Sequence, residues 1–155
     1  MKRITPAVKY MRMVVDHKRL VGENMRHVAT AWFQRAVEHD NSKFGDGEFF
    51  EYAQMQPRFS KARYGTEEYL ACMEAIKPAI QHHYEANSHH PEHFPNGISD
   101  MNLLDVLEMV CDWMAAAKRV PGDTLKLDAM RERFGIDEQL FSIIQHTVEY
   151  LEADS

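Results

Sequence analysis

Apolar side chains recur at three- and four-residue spacing along almost the whole chain, and no run alternates at period two for long enough to make a strand. That pattern confines the polypeptide to helices that each bury one stripe, so the expected fold is all-α. Thr5-Pro6 reads as an N-cap with a first-turn proline, after which Val8, Met11, Val14, Val15 and Leu20 keep near-helical register. Gly22 marks either a break or a loosened turn. Val28, Trp32, Ala36 and His39 then share one face. Asp40-Asn41-Ser42 and Gly45-Asp46-Gly47 read as a helix end and a loop, Glu48 to Gln54 as a short helix, and Pro57 to Gly65 as irregular chain.

Thr66-Glu67-Glu68 has the capping chemistry to open a helix running to about His83 or Tyr84, with Pro78 imposing a kink or a break. Asn87 to Gly97 holds two prolines and a glycine and is a loop. Ser99-Asp100 is the expected cap of a strong helix carrying Leu103, Leu104, Leu107, Cys111 and Met114, which Pro121-Gly122-Asp123 stops. Helices over roughly Leu127–Phe134 and Glu138–Leu151 follow, separated by Gly135. A chain of 155 residues suits one well-buried domain and is short for two, so residues 1–155 are read as one compact helical domain. The helices of 120–155 cover its core, and Phe134, Ile136, Leu140, Phe141, Ile143 and Ile144 offer either core packing or a homodimer contact.

Composition excludes several classes of function. A formal net charge of −6 argues against electrostatic binding to duplex nucleic acid or to an anionic membrane. No stretch approaches the roughly 20 apolar residues that cross a bilayer, and the first twenty residues lack signal-peptide character. Cys72 and Cys111 form no close-spaced motif, which fits a reduced, cytoplasmic protein better than a disulfide scaffold. Ten methionines are many, and helical core filling explains them.

Against that ordinary background the histidines stand out. Five of the nine fall between positions 82 and 93: His82, His83, His89, His90 and His93. His39-Asp40 adds an imidazole and a carboxylate from one short piece of backbone, and these are donors that Zn, Fe and Mn accept. His17 lies upstream on a mostly apolar helix. Asp105, Glu108 and Asp112 share one helical stripe at i, i+3 and i+7. Each feature has a plainer reading: a capped helix end with a buried histidine, a solvated polar loop, a solvated acidic face. Their coincidence points instead to a metal centre that takes an acidic ligand from the Asp105, Glu108 and Asp112 stripe, the other carboxylates partnering histidine N–H groups or a basic side chain. His27, His93 and His146 are bystanders. Lys61, Arg63, Tyr64 and Lys77 read as solvated surface, and Trp32 and Trp113 as core anchors.

The order His…His-Asp…His…His…Asp resembles the HD-domain superfamily of metal-dependent phosphohydrolases. His39-Asp40-Asn41-Ser42-Lys43 is similar to the His-Asp-x-Gly-Lys signature of its cyclic-dinucleotide phosphodiesterase branch, and His89-His90-Pro91-Glu92 to that branch's His-His-Glu. Asp112-Trp113-Met114-Ala115-Ala116 is similar to its closing Asp-x-x-x-Ala helix. The whole chain also resembles a small uncharacterised family of phages and bacteria marked by HDxSKF, HHxxxNxHHPE and MxLxDxxEMxxDW. Ser42 stands where the phosphodiesterase signature has glycine, and the Gly-Tyr-Pro element is absent, so cyclic dinucleotides are not the expected substrate.

The resemblance implies an HD-like fold and two divalent metal ions, from among Mn, Fe, Zn and Mg. His17, His39, Asp40 and Asp112 would hold the first. Asp40 would bridge to a second, held by one of His82 or His83 and by His89 or His90. Two ions about 3.5–4 Å apart activate a hydroxide and stabilise charge developing on phosphorus. Lys43 would neutralise a substrate phosphate. Apart from the resemblance, Glu48 and Glu51 follow the His-Asp pair closely and read either as a general acid or as surface carboxylates. The implied activity is hydrolysis of a small phosphorylated molecule, a nucleotide first, in the cytoplasm (the host's, for a phage-encoded protein). Two alternatives carry different chemistry: a di-iron oxygenase built on the same ligand order, and a helical interaction protein whose metal only holds the fold.

Overall fold

A computed structural model describes residues 5–63, 65–119 and 124–153. The expected stop at Pro121-Gly122-Asp123 and the side chain of Tyr64 lie outside the described residues. The protein is all-α, and no strand occurs among the described residues. Seven α-helices are described: α1 (Pro6–Glu38), α2 (Phe49–Phe59), α3 (Glu67–Ala75), α4 (Lys77–Ala86), α5 (Leu103–Lys118), α6 (Leu127–Phe134) and α7 (Glu138–Ala153). Short 3-10 turns cover Asn41–Phe44, Pro91–His93 and Gly97–Asp100. The chain divides into two units, residues 1–39 and 40–155.

The first unit is α1, 33 residues long. Thr5 caps it by accepting from the Val8 amide, and Pro6 occupies its first turn. The helix continues through Gly22 without interruption, so that glycine is tolerated rather than a break. Arg19 bridges to Glu23 at 2.6 Å, and Gln34 donates to Glu38, both one turn apart. His39 closes the helix, its backbone N–H donating to Arg35 O at 2.8 Å.

The second unit has two apolar clusters. Val110 and Met114 of α5 pack with Ile136 and with Phe141, Ile144 and Val148 of α7. Trp113 joins them from α5, its ring stacked on Phe134 at 5.7 Å. Gly135, at φ +62°, makes the left-handed turn that ends α6 and brings α7 back. The other cluster is Ile76, Ala79 and Ile80, covered by Tyr52, Met55 and Phe59 of α2 and by Met73 and Tyr84.

Three local expectations are refined. The helix opened by Thr66, whose Oγ1 accepts from Tyr69 N, breaks at Ile76, and Pro78 falls in the first turn of α4, where its missing N–H costs nothing. Helix α2 runs on through Pro57 to Phe59, two residues from its end, rather than stopping near Gln54. Asn102, not Ser99-Asp100, caps α5: its side chain accepts from Leu104 N and Asp105 N, and Asp105 accepts from Asn102 N at 3.0 Å. Only a residue three before Asp105 can enter that reciprocal box.

Ile144 is 2% exposed in the α5–α7 cluster. Ile144→Ala is expected to destabilise the fold by about 3 kcal/mol, read as a lower denaturation midpoint.

Candidate metal centre

Asp40 begins the site. It adopts φ 60°, the only positive φ of a non-glycine among the described residues, and aspartate is one of the few side chains that tolerate it. The 3-10 turn that follows places Lys43 Nζ 2.5 Å from Asp40 Oδ2 and 5.7 Å from the centre of the Tyr52 ring. The other oxygen, Oδ1, lies 3.3 Å from His83 Nε2 and 3.6 Å from His89 Nε2. His83 Nε2 in turn lies 2.9 Å from His90 Nε2. Asp40, His83, His89 and His90 thus bring four donor atoms within 4.8 Å of one another.

The proton positions follow from the neighbours. His83 Nδ1 lies 2.9 Å from Glu48 Oε2, and an ionised carboxylate only accepts, so Nδ1 carries the proton and Nε2 a lone pair. Asn87 Nδ2 and Ser42 Oγ lie farther from the same nitrogen, at 3.1 and 3.2 Å, and the Asn87 amide has closer acceptors in Ser42 Oγ and His83 O, at 2.7 Å each. His89 Nδ1 lies 3.3 Å from Glu108 Oε1, and its Nε2 is directed at Asp40 Oδ1. The lone pair of His83 Nε2 then faces a carboxylate oxygen, an arrangement that repels unless a cation lies between them.

A proton is a poor choice for that cation. Burial, and then the charge of Lys43, lowers the pKa of His83. Burial, and then His89 and His83, push His90 down to about 3. The donor set fits a divalent metal instead: three imidazoles and a carboxylate, two imidazoles oriented by buried carboxylates, as in many metal sites. Tyr52 stands edge-on to His83 at 6.2 Å, its phenol pushed up by burial first and by Glu48 second, so it remains neutral.

The sequence-predicted residues are distributed as follows. Asp40, His83, His89 and His90 converge. Asp112 places a carboxylate oxygen within 4.8 Å of one from Asp40, and its charge acts on His90. His39 is one peptide bond from Asp40, and His17 lies midway along α1. His82 is turned outward, with Nδ1 on Glu48 Oε1 at 2.7 Å and a side chain 52% exposed. Lys43 engages Asp40, and Glu48 is fully buried with both oxygens engaged, a position without solvent access for the general-acid role expected of it. Asp105 caps α5 and accepts from Ser88 Oγ at 2.7 Å, fastening the histidine loop. His93 is exposed and lies 3.0 Å from Tyr84 O, and Lys77 pairs with Glu74.

Sequence reasoning missed Asn87 and Ser88. Asn87 stands one helical turn after His83, the signal that it could reach back to that residue, but nothing local announces its second partner, Ser42.

Fold and donor set together define an all-α protein with a histidine–carboxylate group that could hold a metal ion. The chain belongs to DUF5662, a family of unknown function whose profile matches residues 7–152. No curated protein and no solved structure matches it. Among the described residues no helix is long and apolar enough to cross a membrane.

The depressed histidines set a pH dependence of stability. Above about pH 6.5 neither state protonates them. As pH falls toward 3 the unfolded chain takes up a proton at His90 that the folded chain refuses, so stability is lost through that window. Denaturation midpoints measured from pH 7 to 4 should fall in wild type and fall less steeply in His90→Gln. Equal slopes would refute the neutral, buried imidazole.

Proposed function

We propose that this protein is a metal-dependent phosphohydrolase acting on a small phosphorylated molecule, a nucleotide first. The observation that carries the reading is the Asp40–His83–His89–His90 donor set, with Glu48 and Glu108 behind its imidazoles. Histidine–carboxylate sites without cysteine are typical of catalytic rather than structural zinc, and the same donors suit Mn and Fe. A bound divalent ion supplies Lewis acidity toward a phosphoryl oxygen and lowers the pKa of water.

The chain's own residues do the rest. Glu48 lies against Nδ1 of His83 and Glu108 beside Nδ1 of His89, so both rings already direct Nε2 at Asp40 and a cation meets them without reorientation. Lys43 holds Asp40 Oδ2 and is 37% exposed. A phosphate arriving at that edge competes with Asp40 for the ammonium, which serves as a compact point charge. His90 and Asp40 keep partial exposure. The order of ligand types resembling the HD superfamily supports the same chemistry.

The test is elemental analysis of protein purified without an affinity histidine tag, followed by a nucleotide screen for phosphate release. One equivalent of Mn, Fe or Zn would match the four-donor set, and two would add Asp112 beside Asp40 as a donor. Asp40→Asn and His83→Gln should each weaken metal affinity by more than about 100-fold and abolish phosphate release, whereas His82→Gln should retain the metal. Metal-loaded protein that releases no phosphate, yet holds iron whose optical spectrum responds to reductant and oxygen, would replace this reading with the oxygenase. Protein that takes up none of these metals would leave a helical binding protein.

A further inference from the structure

Glu48 is the one charged side chain among the described residues with no exposed surface at all, and it belongs to no expected ligand set. Its position is built with care by the local chain. Gly47 takes φ +94°, a conformation that glycine adopts freely, and delivers Glu48 to the N-cap of α2. The Glu48 carbonyl accepts from Tyr52 N at 3.0 Å, so its backbone is the first acceptor of that helix. The helix dipole favours negative charge there.

From this seat the carboxylate reaches two adjacent residues of α4. Oε1 accepts from His82 Nδ1 at 2.7 Å and Oε2 from His83 Nδ1 at 2.9 Å. Successive residues on a helix point about 100° apart, so one carboxylate that engages both must lie between their rings. The two imidazoles diverge beyond it. His83 is 4% exposed and presents Nε2 to Asp40 and His90; His82 is 52% exposed.

We infer that Glu48 is a positioning residue, a buried two-pronged carboxylate that sorts His82 from His83, fixing His83 as the inward ligand with its proton on Nδ1 and holding His82 outside the donor set. The inference rests on the metal reading for its consequence but not for its geometry. It differs from a general-acid role in a measurable way. A general acid acts on turnover and leaves metal affinity alone; a carboxylate that acts through His83 alters metal affinity and the ring's tautomer.

The experiment uses full-length protein. Histidine nitrogen NMR on the metal-free chain should show His83 protonated at Nδ1 and bare at Nε2. Zn and Mn are then titrated into wild type, Glu48→Gln and Glu48→Asp. Glu48→Gln keeps the shape but substitutes an amide that donates on one side, so it should disturb the His83 tautomer and weaken metal binding by about 10–100-fold. Glu48→Asp should restore part of that loss. A wild-type His83 protonated at Nε2 would overturn the inference, and so would Glu48→Gln with wild-type affinity. Should Glu48→Gln fail to fold, the wild-type tautomer and the Glu48→Asp affinity still decide. Wild type that binds neither metal, with the His83 tautomer as expected, would sink the metal reading while leaving Glu48's positioning of the ring intact.

Discussion

Asp40 Oδ1 faces His83 Nε2 and His89 Nε2 at 3.3 and 3.6 Å in a nearly dry setting, and the surrounding structure is what keeps them there. Acceptors do not gather of their own accord, because each lone pair repels the others and burial removes the water that would screen them. Three separate segments hold them in place. The left-handed residue at Asp40 and its 3-10 turn fix the carboxylate, the end of α4 fixes His83, and the loop from Asn87 to Pro91 fixes His89 and His90.

The supports are polar and mutually dependent. Asn87 ties Ser42 to the His83 carbonyl, joining the Asp40 turn to α4. Ser88 ties the histidine loop to Asp105, which is itself committed to the α5 capping box. Glu108, one turn further along α5, faces His89. Helix α5 therefore anchors the apolar cluster with Val110 and Met114 and steadies the histidines with its acidic side. A network of this kind is strong only when complete, because each buried group relies on another for its hydrogen bond.

Much of the fold could be read from local chemistry. The three- and four-residue spacing of apolar residues led to an all-α chain, and the Thr66 cap, the Pro78 break and the Gly135 turn each act through their own backbone preferences. The errors at α5 and α2 have the same origin. Ser99-Asp100 has good capping residues, but a capping box needs a reciprocal acceptor at the right distance, and Asp105 offers it only to Asn102. Pro57 argues locally against helix, yet it lies close enough to the end of α2 for Phe59 to finish the turn, with Phe59 packed on the Ile76 cluster.

For the site, the sequence by itself determined which donor chemistry was present: five histidines between positions 82 and 93, one His-Asp pair and an acidic stripe at helical spacing. Only the tertiary structure decided which member of the pair at 82 and 83 turns inward, that Glu48 lies beneath both rings, and that Lys43 rests on Asp40. The reason is physical. A helix sets the angle between neighbouring side chains, but which of them faces the interior depends on where the helix is docked. For α4 that docking is made by the Ile76–Ile80 cluster and by a carboxylate from 34 and 35 positions away in the chain.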